Sequence, residues 1–280
     1  MRLPVASGER ARHTAAVKTP HPFLIGLEPT VHIAHRGGAL LYPENTIEAF
    51  RQATGRHGTD IIETDVQITA DGEVVIFHDD TLERCTNGKG PIRAMRYADL
   101  VELDAGWHHP EYRGAGLRVP RLSEVLAEFP EMRFNIDLKR PGHVDAFADA
   151  LRADAHRVCV GSELDDVAEA LLDVLPDACH FYPRVALTDL VMAAKSGLPL
   201  PDEDRFDVLD MPLEYGGMRL VDAAFIKVVT GAGKWVNVWT IDDPADMRQL
   251  IADGVGGIMT DRPDLLREVL DQGSPAPDVL

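Results

Sequence analysis

Cysteine is scarce in this chain of 280 residues: Cys85, Cys159 and Cys179 lie far apart, and no C-x-x-C pair occurs. An odd, scattered set of thiols excludes a disulfide framework and a thiolate metal site as organising principles. Basic residues are also in deficit, 28 Lys and Arg against 46 Asp and Glu, for a formal net charge of −18. A surface so acidic repels nucleic acid and anionic bilayers, so no nucleic-acid partner and no stable membrane insertion are expected. Nor does any apolar run approach the roughly 20 residues that a membrane-crossing helix needs. The opening stretch "MRLPVASGERARHTAAVKTP" lacks the apolar core of a secretory leader, and a cytoplasmic location is the expectation that follows.

What is present is globular: 45% hydrophobic residues can build a large core. The length suits a single α/β barrel, which typically takes about 250 residues. Residues 1–28 read as an N-terminal arm or tail, 29–272 as one domain and 273–280 as a C-terminal tail. Within the domain, β-type runs alternate with helical patterns, the signature of a mostly parallel sheet. The β-type runs are "TVHIAH", "DIIETDVQI", "EVVIFH", "RFNIDL", "RVCVGS", "CHFYP", "FDVLDMP", "WVNVWT" and "GGIMT". Helical stretches such as "NTIEAFRQAT", "LSEVLAEF", "HVDAFADALRAD" and "LDDVAEALLDVL" fall between them, the first with Asn45 or Thr46 as N-cap. Only "TADG" separates "DIIETDVQI" from "EVVIFH". A parallel crossover cannot be that short, and Asp71-Gly72 is a hairpin turn pair. The second run is therefore the return leg of an overshooting strand, and eight parallel strands remain. The expected fold is a (β/α)₈ TIM barrel, with the Gly-rich segment 80–118 as a small insertion over its catalytic face.

Chemistry-bearing residues gather at strand ends. Glu63 and Asp65 are two apart, so both point to one face of a strand whose apolar flanks imply burial. Adjacent buried carboxylates call for a cation, and oxygen donors favour a hard one such as Mg²⁺ or Ca²⁺. Asp137 and Lys139 repeat the spacing: a third ligand and a phosphate-binding ammonium, or a mutually neutralising pair. His35 and His78 each close a β-run, which in a barrel brings two imidazoles suited to acid–base work to one rim. His35 also heads "HRGG". That stretch reads either as a relaxed polar turn or as a strand end delivering His35 and Arg36 to a pocket, with Gly37 and Gly38 allowing close approach to a ligand. Trp239 is either a flat pocket wall or a core aromatic. His32 points to the opposite face from His35 and reads as structural. Asp261 reads as part of a turn into a helix, without a chemical role.

Taken in order, "AHRGG", "PENTIEAF", "ETDVQITADGEVVIFHD", "LERCTNGKGPI", "VPRLSEVL", "NIDLKRP", "VNVWTID" and "GVGGIMTDRPDLL" resemble the glycerophosphodiester phosphodiesterases from about residue 31 to 270. The resemblance implies a TIM barrel with an insertion after the second strand. It implies a divalent cation, Mg²⁺ or Ca²⁺, held by Glu63, Asp65 and Asp137, and an acid–base pair in His35 and His78, with His35 as base. Arg36 and Lys139 would contact the phosphate, while Glu44 and Asn45 shape the loop beside them. The sequence departs from the family where many members carry Glu in place of Asp137, which would set the metal deeper. The implied activity is metal-dependent hydrolysis of a small-molecule glycerophosphodiester to glycerol 3-phosphate and an alcohol. A lysophospholipase D and a catalytically silent polyol-phosphate-binding barrel are the alternatives. No sequence feature bears on the oligomeric state.

Overall fold

The structure is a computed structural model that describes residues 20–273; the expected arm up to residue 19 and the expected tail from 274 onward lie outside the described residues. Strand β1 (Val31–His35) leads through helix α1 (Ile47–His57) to β2 (Ile61–Ile68). Thr46 caps α1 by accepting a hydrogen bond from the Ala49 N–H at 3.1 Å, and Gly58 ends it in a left-handed conformation at φ 58°. Every residue of β2 is buried, as expected of a strand covered on both faces. At Asp71-Gly72 the chain turns back as β3 (Val74–Ile76), antiparallel to β2, with Val66 opposite Ile76. The hairpin reading of "TADG" is correct.

Six further strands complete the barrel: β4 (Arg133–Leu138), β5 (Val158–Gly161), β6 (Cys179–His180), β7 (Val208–Pro212), β10 (Trp235–Trp239) and β11 (Gly257–Thr260). The order around the sheet is β6-β5-β4-β2-β1-β11-β10-β7, all parallel. A bridge between Phe181 and Val208 brings β6 to β7 and nearly closes the ring. Between β7 and β10, a ribbon of β8 (Glu214–Tyr215) and β9 (Met218–Arg219) turns at Gly216-Gly217, both at positive φ. The sequence reading did not anticipate it.

Apolar side chains of the strands fill the barrel, with Val31, Ile33, Ile61, Cys159, Cys179, Val208 and Met259 in one buried cluster. Phe23 and Leu24, from a 3₁₀ turn at Pro22–Leu24, join that cluster, and the Arg133 guanidinium holds the Ile25 carbonyl at 2.7 Å. Since Arg133 begins β4, this turn covers the end where strands start. Outside the ring, α1 packs Phe50 edge-on to Phe134 of β4 at 6.5 Å; both rings are fully buried. Each such side chain contributes about 1.5–3 kcal/mol on leaving water. The segment after β3 has a small core of its own, in which Phe77, Leu82, Ile92, Tyr97, Leu100 and Val119 pack on Val75.

Candidate active site

The carboxyl ends of the barrel strands bring the expected residues together. In register, His35 of β1 lies beside Glu63 of β2, and Asp65 of β2 beside Asp137 of β4. The return leg after β3 delivers His78 to the same end, with the Phe77 N–H bonded to the Asp65 carbonyl at 2.9 Å. Lys139, just past β4, places its ammonium 2.7 Å from Asp65 and 2.6 Å from Asp137. Arg36 approaches Asp65 at 3.2 Å and donates to Glu44 at 3.0 Å. Trp239 is half-buried at the end of β10 and packs against the barrel-filling cluster.

The loop after β1 is held in an unusual shape. Arg36 and Asn45 both have positive φ, 50° and 58°, which costs a non-glycine residue about 1–3 kcal/mol unless its surroundings enforce it. They do: the Arg36 N–H donates to the Glu63 carbonyl and to its carboxylate, each at 3.0 Å. Asn45 donates to Asp65 at 2.9 Å and accepts from Thr64 at 2.7 Å. Gly37 and Gly38 are required by packing, a reason the sequence reading did not give. A Cβ on Gly37 would lie 2.8 Å from Ala49 and Phe50 of α1, and one on Gly38 would lie 2.8 Å from Pro263.

Both histidines are anchored at Nδ1 by a carboxylate: His35 by Asp261 and His78 by Asp79, each at 2.6 Å. Asp261 therefore belongs to the site, contrary to the sequence reading; it follows β11, and its own N–H is held by Asp242 at 2.8 Å. Arg84 was also missed. It reaches from the segment after β3 to grip Asp79 and Glu44 together. Asp261 stands in "TDRP" and Arg84 in "LERC", but no motif marks them, because Asp261 meets His35 and Arg84 meets Glu44 across 226 and 40 residues of chain.

Six carboxylates (Glu44, Glu63, Asp65, Asp79, Asp137 and Asp261) face three fixed cations (Arg36, Arg84 and Lys139), so the cluster is short of positive charge. Burial, reinforced by Asp65, raises the Glu63 carboxyl; burial also raises Asp65, but Lys139 and Arg36 outweigh it and hold Asp65 low. Asp137 is pushed up to about 6 by burial despite Lys139. Burial lowers His78, whereas at His35 burial is overcome by Glu63 and Asp261, which raise it. As they stand, no three His, Cys, Asp or Glu side chains among the described residues gather closely enough to hold an ion. The Lys139 ammonium lies between Asp65 and Asp137, 2.7 and 2.6 Å from them. The donor set nevertheless fits a hard divalent cation. It offers three carboxylates, those of Glu63 and Asp65 buried, and the Asp137 Oδ1 atom is buried without a hydrogen-bond donor.

Comparison with known proteins agrees with this geometry. Residues 35–265 match the model of the Glycerophosphoryl diester phosphodiesterase family. A probable glycerophosphodiester phosphodiesterase 2 of Mycobacterium tuberculosis is 32% identical over 250 residues, covering 86% of this chain and 90% of that protein. Lysophospholipase D GDPD1 of Homo sapiens is 28% identical over 269 residues, 85% of each chain. A phosphodiesterase of Oleispira antarctica, solved in complex with the product sn-glycerol-3-phosphate, superposes with a TM-score of 0.69 at 26% identity, covering 87% of this chain and 97% of that one. The match spans the loop of His35 and Arg36, the paired carboxylates, the His78 return leg and Asp261. The chain belongs to the glycerophosphoryl diester phosphodiesterase family, and it is an enzyme of that class, a phosphoric diester hydrolase.

Proposed function

We propose that the chain cleaves glycerophosphodiesters to glycerol 3-phosphate and an alcohol with the help of a divalent cation, Mg²⁺ or Ca²⁺. The observation that carries this reading is the convergence of Glu63, Asp65 and Asp137 with two carboxylate-anchored histidines at one barrel mouth. When bound by Glu63, Asp65 and Asp137, the cation supplies Lewis-acid polarisation of the phosphoryl group and lowers the pKa of the nucleophile. The Lys139 ammonium would exchange Asp65 and Asp137 for a phosphate oxygen, and Arg36 would hold a second oxygen.

Because Nδ1 of each imidazole faces a carboxylate, Nε2 is the nitrogen that moves protons. Asp261 and Glu63 stabilise the imidazolium of His35, which suits it to take the proton of a water or of the substrate's glycerol hydroxyl. Burial, with Arg36 and Lys139 nearby, destabilises the imidazolium of His78, which suits it to give its proton to the departing alkoxide. The bond from phosphorus to the alcohol oxygen breaks as the bond to the nucleophile forms.

A lysophospholipid is the second reading, favoured by exposed apolar side chains in loops that follow barrel strands: Leu40 after β1, and Tyr215 and Met218 on the ribbon after β7. A relative named as a lysophospholipase D adds support. A silent barrel is disfavoured, since every charged group of the site is in place. The test compares glycerophosphocholine with lysophosphatidylcholine at matched concentrations. Faster glycerol 3-phosphate and choline release from the former supports the main reading. Preference for lysophosphatidylcholine, cleaved to lysophosphatidic acid and choline, supports the second.

A further inference from the structure

The Arg84 guanidinium spends both of its edges inside the site. Its Nε and Nη2 donate to Asp79 at 2.6 and 2.8 Å, while Nη1 and Nη2 donate to Glu44 at 2.5 and 2.8 Å. Each acceptor is the immediate partner of a working group: Asp79 holds Nδ1 of His78, and Glu44 holds Nη1 of Arg36. One side chain thus joins the phosphate-side loop after β1 to the return leg that carries His78. An isolated surface ion pair contributes little. This one differs, because the half-exposed Arg84 (48%) reaches two carboxylates with only 13% and 23% side-chain exposure, and both are gripped by two donors.

The segment that bears Arg84 is itself fixed. Leu82, two residues before, is fully buried in the small core after β3. A bridge between Thr81 and Pro91 closes the loop at its base, and the Glu83 carboxylate accepts from the Gly90 N–H at 2.8 Å. The insertion therefore delivers a rigid fork to the mouth. Arg84 also takes up charge on Asp79, whose carboxyl it holds at about 2 together with His78.

We propose that Arg84 is a positioning residue for phosphodiester cleavage, acting through Asp79 on His78 and through Glu44 on Arg36. The inference rests on the reading above, in which His78 moves a proton. Lysine cannot replace the fork, since one ammonium cannot grip two carboxylates at two atoms each.

The test is a double-mutant cycle on glycerophosphocholine, measuring kcat and KM for Arg84→Ala and Arg84→Lys, each alone and combined with His78→Ala. Arg84→Ala should lower kcat about 10- to 100-fold, as loss of a second partner or an ångström of misplacement typically does. Arg84→Lys should recover only part of it. In the His78→Ala background the same change should cost several-fold less. If Arg84→Ala folds poorly by its melting temperature, Arg84→Lys carries the cycle alone. Equal losses in both backgrounds, or an unchanged kcat, would overturn the inference while leaving the reading of His78 intact. Full activity of His78→Ala by itself would overturn that reading, and this inference with it.

Discussion

His35 and His78 are each anchored by a carboxylate but have opposite surroundings, and in the proposed mechanism that difference assigns their work. A carboxylate at Nδ1 fixes each ring, but His35 also lies 3.8 Å from Glu63, whereas burial, aided by Lys139 and Arg36, lowers His78 against the opposing pull of Asp65. One imidazole is thereby made a stronger base and the other a stronger acid. The leaving group separates the two roles. Choline departs as a basic alkoxide that needs a proton, while p-nitrophenolate does not. His78→Ala should therefore lose on the order of 10²- to 10⁴-fold on glycerophosphocholine and much less on an activated aryl diester. His35→Ala should lose heavily on both, since the nucleophile must give up its proton either way. Sparing of His35→Ala instead would exchange the roles. The meeting of Asp65, Asp137 and Lys139 was legible because E-x-D and D-x-K spacings on strands constrain side chains to one face. Asp261 and Arg84 were not, because their meaning lies in contacts 226 and 40 residues away in the chain.

At the scale of elements, the seam between β1, α1 and the helix Pro263–Gly273 buries a histidine outside the candidate site. His32 is fully buried, and burial, then Arg267 of the helix Pro263–Gly273 and His57 of α1, lower it to about 3 from an ordinary 6.5. The folded chain refuses a proton that the unfolded chain accepts below 6.5, so this stabilisation is complete above that pH and is lost on acidification towards 3. Near pH 4.5 the loss amounts to about 2–3 kcal/mol. In His32→Asn, unfolding free energy measured by urea should fall less steeply between pH 7 and 4.5 than in the parent. Parallel curves would mean that the seam admits the charged ring. The nine β-type runs were legible because their apolar residues are continuous and flanked by turn chemistry. The ribbon at 214–219 was not, since two-residue strands with exposed Tyr215 and Met218 carry no burial pattern. The packing role of Gly37 and Gly38 was not legible either: a glycine forced by a neighbouring helix looks, in sequence, like a glycine that makes room for a ligand.

The whole molecule divides its ends between stability and chemistry. Where the strands begin, the Phe23 turn seals the barrel; where they end, buried charge accumulates, as in TIM barrels generally. No helix among the described residues is long and apolar enough to cross a membrane. Against a net charge of −18, the proposed mechanism needs Arg36, Lys139 and a cation to outweigh the acidic surface where an anionic phosphodiester would bind. The cation is thus the term on which the account depends, and Asp137, with its orphaned buried oxygen, is the ligand to remove. The decisive measurement is release of glycerol 3-phosphate from glycerophosphocholine, with and without a chelator, in the parent and in Asp137→Asn. The account predicts glycerol 3-phosphate and choline as products, loss of activity in chelator, recovery on adding Mg²⁺ or Ca²⁺, and a folded Asp137→Asn that stays inactive throughout. Undiminished release in chelator, or phosphocholine as the product, would contradict it.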